Sequence, residues 1–511
     1  MLSWNSSRVS ALPGGLRPGR SMLFNSLEFA LFFPFVTLLY FVLPHRARWA
    51  LLLGASAWFY MAFVPVYILI LGFTILVDYV AGLLIENAAG RRRGWYLALS
   101  VLANVGVLAV FKYWNFLATN VNDVFLLFDP QIQVPLLALL LPIGLSFHTF
   151  QAMSYTIEVY RGTQPAERNL GIYALYVLFY PQLVAGPIER PQNLLHQFRE
   201  VHQFDADRVS AGLGRMLAGL FKKLVIADRL AIVVNAVYGD PTAYSAGTLL
   251  LATWLYAVQI YCDFSGYSDI ALGAANVMGF TLMENFDRPH FATSIGDFWR
   301  RWHISLSTWF KDYLYVPLGG SRTTRWRHVR NLLIVFMISG LWHGAAWTFV
   351  IWGALHGVYL VCSVVTSRLR QQLVAALHLN RLGWGLTVLR TVVTFNLVSF
   401  AWIFFRARSL TDANLIVQRL AAGAWYTVVH PIALLASIGG GVSLLTTGEV
   451  AWSIVLCTLL FMIQMVRGER RVVPSLAASP VWLRWSAYYT MVLMILLTGV
   501  FGRQSFIYFQ F

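Results

Sequence analysis

A long stretch without full charges constrains the fold of this chain more than any other feature. From Asn331 to Ser367 the sequence contains no Asp, Glu, Lys or Arg, and its only basic side chains are His343 and His356. An α-helix needs only about 20 residues to cross the ~30 Å hydrocarbon core of a bilayer. An ionisable group at that depth is costly, and it usually faces a bundle interior or a water-filled cavity. The stretch therefore predicts a helical membrane protein with a functional imidazole inside it.

The composition fits a chain that crosses the membrane many times. Hydrophobic residues make up 58% of the 511 positions and charged residues only 12%, about half of the roughly 25% that is usual in soluble domains. Because lipid offers no water partners to the backbone, such spanning segments fold as helices. We predict an all-α, polytopic fold with ten to twelve transmembrane helices and additional interfacial or re-entrant helices. Candidate spans begin near Ser26, Trp49, Val66, Trp95, Val134, Leu170, Thr248, Leu332, Leu386, Pro431, Val450 and Trp485.

The beginning of the chain differs from everything that follows. Residues 1–21 are polar, rich in Pro and Gly, and lack the apolar core of a secretory signal. We predict that they form a disordered N-terminal extension and that residues 22–511 form a single membrane domain. We find no internal repeat of fixed period and no low-complexity linker within that domain.

The net charge of +16, from 38 basic and 22 acidic residues, reflects basic clusters in short loops between apolar runs. Such clusters are Arg91 to Arg93, Arg322 to Arg330, Arg368 to Arg370 and Arg467 to Arg471, and the positive-inside rule places them in the cytoplasm. Nucleic-acid binding is a poor alternative, because no soluble basic domain is present to carry it. The same loops would attract an anionic, phosphate-bearing donor.

Motifs for metal chemistry and nucleotide hydrolysis are missing from the sequence. It contains neither HExxH nor a GxxxxGK[ST] loop, and the spacing of its His residues does not suggest zinc. A GxSxG nucleophile elbow is also missing. Cys262, Cys362 and Cys457 lie inside apolar runs and are typical of small buried hydrophobic residues. We therefore expect no metal site.

The segment from Phe298 to Gly320, FWRRWHISLSTWFKDYLYVPLGG, has the pattern of an amphipathic helix. At about 100° per residue, one arc of about 120° contains Trp299, Trp302, His303, Leu306, Trp309, Phe310 and Tyr313. The charged side chains of the segment fall outside that arc. Pro317 and the Gly319–Gly320 pair would end the helix. Because it is too polar to span, we predict that it lies at the cytoplasmic interface or re-enters the protein, with His303 at the edge of its apolar face.

Small residues surround His343 in the segment SGLWHGAAW, residues 339–347. They would let neighbouring helices or a substrate come close to the backbone. The alternative is a structural imidazole that is hydrogen-bonded inside a helix bundle. His356 lies about 220° from His343 around a straight helix, so both cannot face one cavity, and we favour a structural role for His356.

Asp263 and Asp269 place two carboxylates in another largely apolar run, QIYCDFSGYSDIA. Acidic side chains inside a membrane often mark a proton or ion path. Such a path, combined with His343, would suit a transporter. The alternative interpretation is a partly unwound, hydrogen-bonded break in the helix around Gly266.

Several blocks of the sequence resemble the membrane-bound O-acyltransferase (MBOAT) family. The two described above, WHISLSTWFKDYLYVPLGG and GLWHGAAW, belong to this pattern. The others are LPIGLSFHTFQAMSYTIEVYRG (141–162), FYPQLVAGPIERP (179–191), QIYCDFSGYSDIALG (259–273) and the terminal FGRQSFIYFQF. The resemblance covers Met22 to Phe511 and is greatest to the bacterial polysaccharide branch, to which alginate O-acetyltransferases belong. Position 148 has His where we expect Tyr from related sequences, so a local hydrogen bond should differ there.

The resemblance implies which residues carry the chemistry. The catalytic His of the family falls on His343, and its second frequently important His falls on His303. We add five supporting residues: Trp342, Ser307, Asp312, Asp263 and Asp269. Four basic side chains are predicted to bind the donor: Arg300, Arg301, Lys311 and Arg322.

The resemblance further implies an enzyme of the bacterial inner membrane. It would move an acetyl group from acetyl-CoA, a cytoplasmic thioester, to a hydroxyl of an exported polysaccharide or of a periplasmic relay protein. The implied fold is a ring of helices around a thinned central tunnel, and an implied periplasmic SGNH-type partner, similar to acetyltransferases and esterases, finishes the transfer. The alternative is a transporter or flippase for an acyl or glycan intermediate, with His343, Asp263 and Asp269 as its proton relay.

In the expected reaction, His343 is the general base that takes the hydroxyl proton as the oxygen attacks the thioester carbonyl. His303 would orient the donor or hydrogen-bond the developing oxyanion. An acyl-His intermediate is the alternative to direct transfer. Direct transfer requires that a thioester from the cytoplasm and an alcohol from the other side both reach the His343 ring.

Overall fold

The computed structural model describes residues 22–129, 131–429, 447–467, 479–501, 506 and 507. Within these ranges the regular secondary structure is helical, which confirms the predicted all-α fold for the described chain. The predicted N-terminal extension, residues 1–21, and the start of the predicted span near Pro431 lie outside the described residues.

The chain forms two compact units, each of which is described by itself. The N-terminal unit lies within Leu2–Met216 and Tyr267–Met283, and the C-terminal unit contains Leu217–Gly266 and Glu284–Ile507. The first helices belong to the N-terminal unit: α1 (Leu27–Val42), α2 (His45–Met61), α3 (Ile68–Asn87), α4 (Arg91–Leu108), α5 (Trp114–Phe125), α6 (Leu145–Arg161), α7 (Leu170–Leu178) and α8 (Pro191–Leu194).

The next helices lead into the C-terminal unit. They are α9 (Ala206–Phe221), α10 (Asp228–Gly239) and α11 (Ala246–Met278), whose residues from Tyr267 onward belong to the N-terminal unit. The later helices of the C-terminal unit are α12 (Ile295–Arg301), α13 (Ile304–Phe310), α14 (Arg325–His343), α15 (Trp347–Val365), α16 (Ser367–Ala376), α17 (Trp384–Arg406), α18 (Leu410–Val429), α19 (Thr447–Arg467) and α20 (Val481–Thr498).

Short turns of other helical types connect these elements. The 3₁₀ turns are Pro65–Tyr67, His196–Arg199, Pro241–Ala243, Pro289–Phe291 and Leu379–Leu382. The π-helical turns are Ala109–Tyr113, Lys222–Ala227 and Lys311–Tyr315.

Five helical segments of the described chain are long and apolar enough to cross a membrane. They are Pro65–Asn87, Arg91–Phe125, Trp347–Val365, Trp384–Arg406 and Val481–Thr498, and two shorter apolar helices cover Leu27–Val42 and Ala451–Val466. On α1, large apolar side chains are exposed at Leu31, Phe35, Leu38 and Val42, as is typical of a helix that faces lipid. The protein is therefore a polytopic helical membrane protein.

The predicted span beginning near Val134 is wrong, because residues 132–142 are not helical. Pro135 and Pro142 each lack a backbone N–H group and restrict the chain to extended conformations. The side chains of Asn115 and Asn122 take the place of helical hydrogen bonds here. Asn122 Oδ1 accepts from the Val134 N–H at 2.7 Å, and Asn115 Oδ1 accepts from the Leu137 N–H at 2.8 Å.

Buried polar side chains join α3, α4 and α6 within the N-terminal unit. Asp78 on α3 accepts hydrogen bonds from Ser100 Oγ at 2.6 Å and from Asn104 Nδ2 at 2.9 Å, both on α4. His148 on α6 lies 2.6 Å from the Thr74 hydroxyl on α3. Polar pairs of this kind hold membrane helices together where the surroundings are uniformly apolar. The His at position 148 thus has its own hydrogen bond.

The hairpin of α14 and α15 depends on glycine, and it places His343 at the turn. A Cβ atom at Gly340 would lie 2.3 Å from the Phe349 carbonyl oxygen, and one at Gly353 would lie 2.2 Å from the Phe336 carbonyl oxygen. Real Cβ atoms do not approach so closely, so the two backbones touch only because both positions lack a side chain. The predicted close approach around His343 is confirmed at Gly340.

Candidate active site

The amphipathic segment is two short helices and not one, because the chain turns sharply at His303. Helix α12 ends at Arg301 and α13 begins at Ile304, and His303 between them has φ 43° and ψ 56°, in the left-handed region. A side chain disfavours this region by roughly 1–2 kcal/mol. The prediction of a single helix is wrong at this residue. Strained non-glycine residues held by their surroundings tend to lie at functional sites.

Asn285 holds this turn in place. Its backbone carbonyl accepts the Ile304 N–H at 2.9 Å, and its Oδ1 accepts the Ser305 hydroxyl at 2.7 Å. Ser307, a predicted supporting residue, donates its backbone N–H to the His303 carbonyl at 2.9 Å and its hydroxyl to the Trp302 carbonyl at 3.1 Å. Ser307 therefore stabilises the His303 turn.

His343 is the last residue of α14 and is enclosed by aromatic rings. Its ring centroid lies 4.9 Å from that of Trp342, 4.9 Å from that of Trp352 and 5.4 Å from that of Phe405. Trp352 comes from α15 and Phe405 from α17. Three helices of the C-terminal unit thus position this imidazole.

Trp342 connects the two predicted catalytic imidazoles. Its ring centroid lies 4.9 Å from that of His343 and 6.2 Å from that of His303. The His303 ring also meets the ring of Phe264 of α11, at a centroid distance of 4.7 Å. The structure therefore brings His303, Trp342 and His343 into one cluster, although the two imidazoles are 40 positions apart in the sequence.

His356 also belongs to this cluster. The prediction assumed one straight helix from His343 to His356, but the chain breaks between α14 and α15, so the 220° angle does not apply. The His356 ring lies 5.0 Å from the Trp352 ring, which is in contact with His343. His356 Nδ1 accepts a hydrogen bond from Trp299 Nε1 at 3.3 Å.

Some of the Trp residues between positions 299 and 352 are internal, whereas Trp326 and Trp347 are exposed. Trp302 and Trp352 are almost fully buried, and Trp402 of α17 packs on both of them, at 5.2 and 5.6 Å. Phe405 and Trp402 were not predicted as site residues. Only the tertiary fold brings α17 to this cluster, so no local pattern could have shown it.

His343 is covered in this conformation. The exposed fraction of its side chain is 4%, whereas His303 and His356 are at 0%. The open access to the His343 ring from both sides, which direct transfer requires, is therefore not seen among the described residues.

Asp263 and Asp269 belong to separate ion pairs. Asp263 accepts from Lys223 Nζ at 2.6 Å and from the Ile507 N–H at 2.8 Å, inside the C-terminal unit. Asp269 accepts from Arg215 Nε at 3.0 Å, inside the N-terminal unit. Each carboxylate thus has its own cationic partner.

The proposed helix break around Gly266 is wrong. Helix α11 continues without interruption from Ala246 to Met278. A Cβ atom at Gly266 would lie only 2.8 Å from the Gly219 carbonyl oxygen. The glycine therefore serves a close approach of two backbones and does not interrupt the helix.

The predicted donor-binding cations differ in their surroundings. Arg301 Nε donates to Asp297 at 3.0 Å and Arg300 lies 3.4 Å from the same carboxylate, whereas Lys311 and Arg322 are exposed. Burial acts to raise the pKa of Asp297, but hydrogen bonds from Arg301 and the Thr293 N–H, and the nearby guanidinium charges, together lower it below its ordinary value.

Asp312, also predicted as supporting, is half-buried in the π-helical turn Lys311–Tyr315.

The fold is that of a polytopic helical membrane protein whose C-terminal unit gathers three buried imidazoles among aromatic rings. The model of the MBOAT, membrane-bound O-acyltransferase family, matches residues 169–405, which include all three imidazoles and most of the cluster. The chain belongs to the membrane-bound O-acyltransferase family, and it is accordingly an O-acyltransferase.

Relatives with curated names cover most of the chain. The probable alginate O-acetylase AlgI of Pseudomonas aeruginosa is 40% identical over 410 residues, which is 79% of this chain and 76% of that protein. The peptidoglycan O-acetyltransferase of Helicobacter pylori is 35% identical over 445 residues, 80% of this chain and 81% of that protein. The teichoic acid D-alanyltransferase of Bacillus subtilis is 28% identical over 334 residues, 62% of this chain and 78% of that protein.

Proposed function

We propose that the protein transfers an acetyl group from acetyl-CoA to a hydroxyl of an exported polysaccharide, directly or through a periplasmic relay protein, with His343 as the general base. The observation that carries this proposal is the ring contact of Trp342 with both His343 and His303, at 4.9 and 6.2 Å. It gathers two imidazoles in the interior of a membrane enzyme, where neutral His can accept a proton.

The choice of acetyl and polysaccharide rests on the names of the relatives. Two of them are called an alginate O-acetylase and a peptidoglycan O-acetyltransferase, and they are 40% and 35% identical to this chain. Both names describe the transfer of an acetyl group to a polymer. A third relative, 28% identical, is named for transfer of D-alanine to teichoic acid, so the acyl group differs among the relatives.

In the proposed reaction, the acceptor oxygen attacks the carbonyl carbon of the thioester while His343 removes the hydroxyl proton. The tetrahedral intermediate then collapses, the C–S bond breaks, and the thiolate of coenzyme A takes the proton from the His343 imidazolium. His303 orients the donor. A general base of this kind contributes typically about 10²–10⁴-fold to the rate.

The donor approaches from the cytoplasm. Lys311 and Arg322 are exposed and Arg300 is exposed over much of its length, so these cations are available to the phosphates of coenzyme A. Arg301, held by Asp297 at 3.0 Å, positions α12 and contributes its charge to the same surface.

The topology follows from the separation of donor and acceptor. We propose that ten to twelve helices surround a thinned centre in the bacterial inner membrane, where the acetyl group crosses without an open ion pathway. A periplasmic SGNH-type partner then completes the transfer to the polymer. A transporter is less well supported, because Asp263 and Asp269 are each held by a cation, at 2.6 and 3.0 Å, and do not form a relay with His343.

The test is His343→Ala in a bacterium that depends on this chain, compared with His196→Ala, which removes an exposed imidazole. Ester-linked acetate on the surface polymer and the amount of exported polymer are both measured, with the variant's membrane level checked by immunoblot. Loss of acetate with normal export supports the proposal. Loss of export points to a transporter, and acetate retained in both His343→Ala and His303→Ala points to a scaffold without catalysis.

Donor specificity is tested on membranes that contain the chain. Labelled acetyl-CoA should transfer its label to the glycan in the wild type and in His196→Ala, but not in His343→Ala. If the wild type leaves acetyl-CoA unused while the polymer is acetylated in cells, the proposed donor is wrong.

A further inference from the structure

Three ring nitrogens, one on Trp352 in contact with His343 and two on the neighbours of Trp352, have no hydrogen-bond partner among the residues that the structure describes. They are Nε1 of Trp352, Nε1 of Trp402 and Nε2 of His356. All three side chains are fully buried, with exposed fractions of 0%. A buried donor without an acceptor is unfavourable, and native proteins leave few of them. Three in one place therefore need an explanation.

The three side chains are neighbours. The Trp352 ring stacks on the Trp402 ring at 5.6 Å with an interplanar angle of 26°, and it meets the His356 ring at 5.0 Å. The same Trp352 ring lies 4.9 Å from His343. Trp352 and His356 are four residues apart on α15, so both project from one face of that helix.

All three nitrogens are donors. An indole N–H can only donate, and a neutral imidazole donates from one nitrogen and accepts at the other. His356 Nδ1 accepts from Trp299 Nε1 at 3.3 Å, so the proton of the neutral ring is assigned to Nε2. The cluster thus presents three N–H groups, and its natural complement is an oxygen atom with free lone pairs.

We propose that these three N–H groups, with Trp352 as the principal one, bind the carbonyl oxygen of the acyl group and stabilise the oxyanion that forms during transfer. The inference rests on the proposed function, because it takes the thioester as substrate and His343 as base. A carbonyl oxygen has two lone pairs and carries no proton, so it satisfies donors without requiring an acceptor in return.

The transfer places negative charge on the carbonyl oxygen and then removes it. As the acceptor oxygen bonds to the carbonyl carbon, the π electrons of the carbonyl move onto its oxygen, where the N–H groups of Trp352, His356 and Trp402 meet the negative charge. His343 holds the proton removed from the hydroxyl. When the carbonyl re-forms, the C–S bond breaks, and the departing thiolate receives that proton. Donors fixed before the reaction need no reorganisation, which is why they are effective in a buried site.

The central test is Trp352→Phe, which removes the N–H group and keeps an aromatic ring. Removal of one donor to an oxyanion typically lowers kcat by about 10²–10³-fold, and we expect roughly 10²-fold here, with the KM for acetyl-CoA unchanged. The matched control is Trp254→Phe, which removes an indole whose Nε1 donates to Asn396 at 3.1 Å elsewhere in the C-terminal unit. Its kcat should equal that of the wild type.

Two further measurements separate this role from a structural one. The inhibition constant of a trifluoromethyl ketone analogue of acetyl-CoA, whose carbonyl adds water to give a tetrahedral hydrate that resembles the intermediate, should rise in parallel with the loss of kcat/KM in Trp352→Phe. His356→Gln, whose amide can still donate, should retain more activity than His356→Leu at equal thermal stability.

Failure of the donor role of Trp352 and failure of the proposed acetyl transfer give different results. If Trp352→Phe turns over at the wild-type rate, or if its loss follows its unfolding temperature while the analogue binds unchanged, the inference is overturned. If the wild type transfers no acetyl group from acetyl-CoA, the proposed function fails before this inference is reached. Weaker binding of the ketone analogue to Trp352→Phe, with unchanged binding to Trp254→Phe, supports the inference.

Discussion

At the scale of single residues, His303 combines a strained backbone with a buried ring. Its φ of 43° is one that glycine adopts without cost, and its neighbours Ile304 and Ser305 are both fixed by Asn285. Since strain of this kind persists only where the surroundings determine it, the turn and the imidazole can be tested separately.

His303→Gly should be more stable than His303→Ala by about 1–2 kcal/mol, because only the alanine retains a Cβ atom in the left-handed region. Both variants lose the imidazole, so both should lose acyl transfer to the same extent. Unfolding temperature in detergent and transfer of labelled acetyl to glycan are the two measurements. A glycine variant with full activity would show that the turn matters and the imidazole does not.

A second residue-scale feature is the ion cluster in which Lys223 serves two carboxylates. Lys223 Nζ lies 2.6 Å from Asp263 and 2.8 Å from Asp228, and all three side chains are buried. Both oxygens of Asp263 accept hydrogen bonds, whereas Asp228 Oδ2 has no partner among the described residues. Burial raises the pKa of Asp228 to about 7, so Asp228 is the group that holds a proton below that pH.

Lys223→Met should destabilise the protein by about 3–5 kcal/mol, because it leaves the buried Asp263 carboxylate without its cation. Asp228→Asn should change stability by less than about 1 kcal/mol at pH 6, since it replaces a carboxyl that is already neutral. A folded pKa raised above the unfolded value means that stability is lost as pH rises through 7, and Asp228→Asn should reduce this loss. Unfolding temperatures between pH 5 and 8 measure it, and an unchanged profile would contradict the assignment.

At the scale of elements, the close contact of α14 and α15 determines where His343 lies. The contact needs glycine at residues 340 and 353, where an added Cβ would meet a carbonyl oxygen at 2.3 or 2.2 Å. Gly340 and Gly353 therefore determine the distance between α14 and α15, and their effect on helix propensity is secondary.

Gly353→Ala should destabilise the protein by about 1–3 kcal/mol through overpacking, and it should lower acyl transfer, because Trp352 and His356 lie on the same helix. Gly72→Ala and Gly106→Ala are matched controls in other candidate spans, since an added Cβ at either position meets nothing within 4 Å. These two should be neutral or slightly stabilising. The measurements are unfolding temperature and activity, and equal effects at all three positions would contradict the packing argument.

Elements were predictable wherever local sequence decides the structure. Apolar runs predicted helices such as α3, α4 and α15, and the small residues beside His343 predicted a close helix contact. The His303 turn was not predictable, because it depends on Asn285, 18 positions earlier. The extended segment after Val134 likewise depends on side chains of α5, which replace the hydrogen bonds of a helix.

In the candidate site, too, some residues could be predicted from local sequence and others only from tertiary contacts. His343 and His303 were selected from short motifs that stand near them in the sequence. Trp402 and Phe405 reach the site from α17, about 60 positions after His343, and only tertiary packing brings them there. The angle of 220° predicted between His343 and His356 does not apply, because a periodicity argument assumes an unbroken helix and the chain breaks at Gly344–Ala346. The structural role predicted for His356 stays a prediction.

At the scale of the whole molecule, the distribution of charge determines how the chain lies in the membrane. The excess of 38 basic over 22 acidic residues includes the clusters Arg91 to Arg93, Arg322 to Arg330 and Arg368 to Arg370. Positive charge in short loops is retained on the cytoplasmic side. All three clusters should therefore share one side, the side from which the proposed phosphate-bearing donor would arrive.

Cysteine labelling tests this topology. In a background without Cys262, Cys362 and Cys457, the variants Arg92→Cys and Arg368→Cys should react with a membrane-impermeant maleimide only after the inner membrane is opened. Asn380→Cys, on the 3₁₀ turn that follows α16, is expected to behave in the same way, because only α16 separates it from Arg368 and α16 is not among the candidate spans. Labelling of Arg92→Cys or Arg368→Cys from the periplasm would invert the topology. The cationic surface would then face away from acetyl-CoA, and the proposed donor site could not operate.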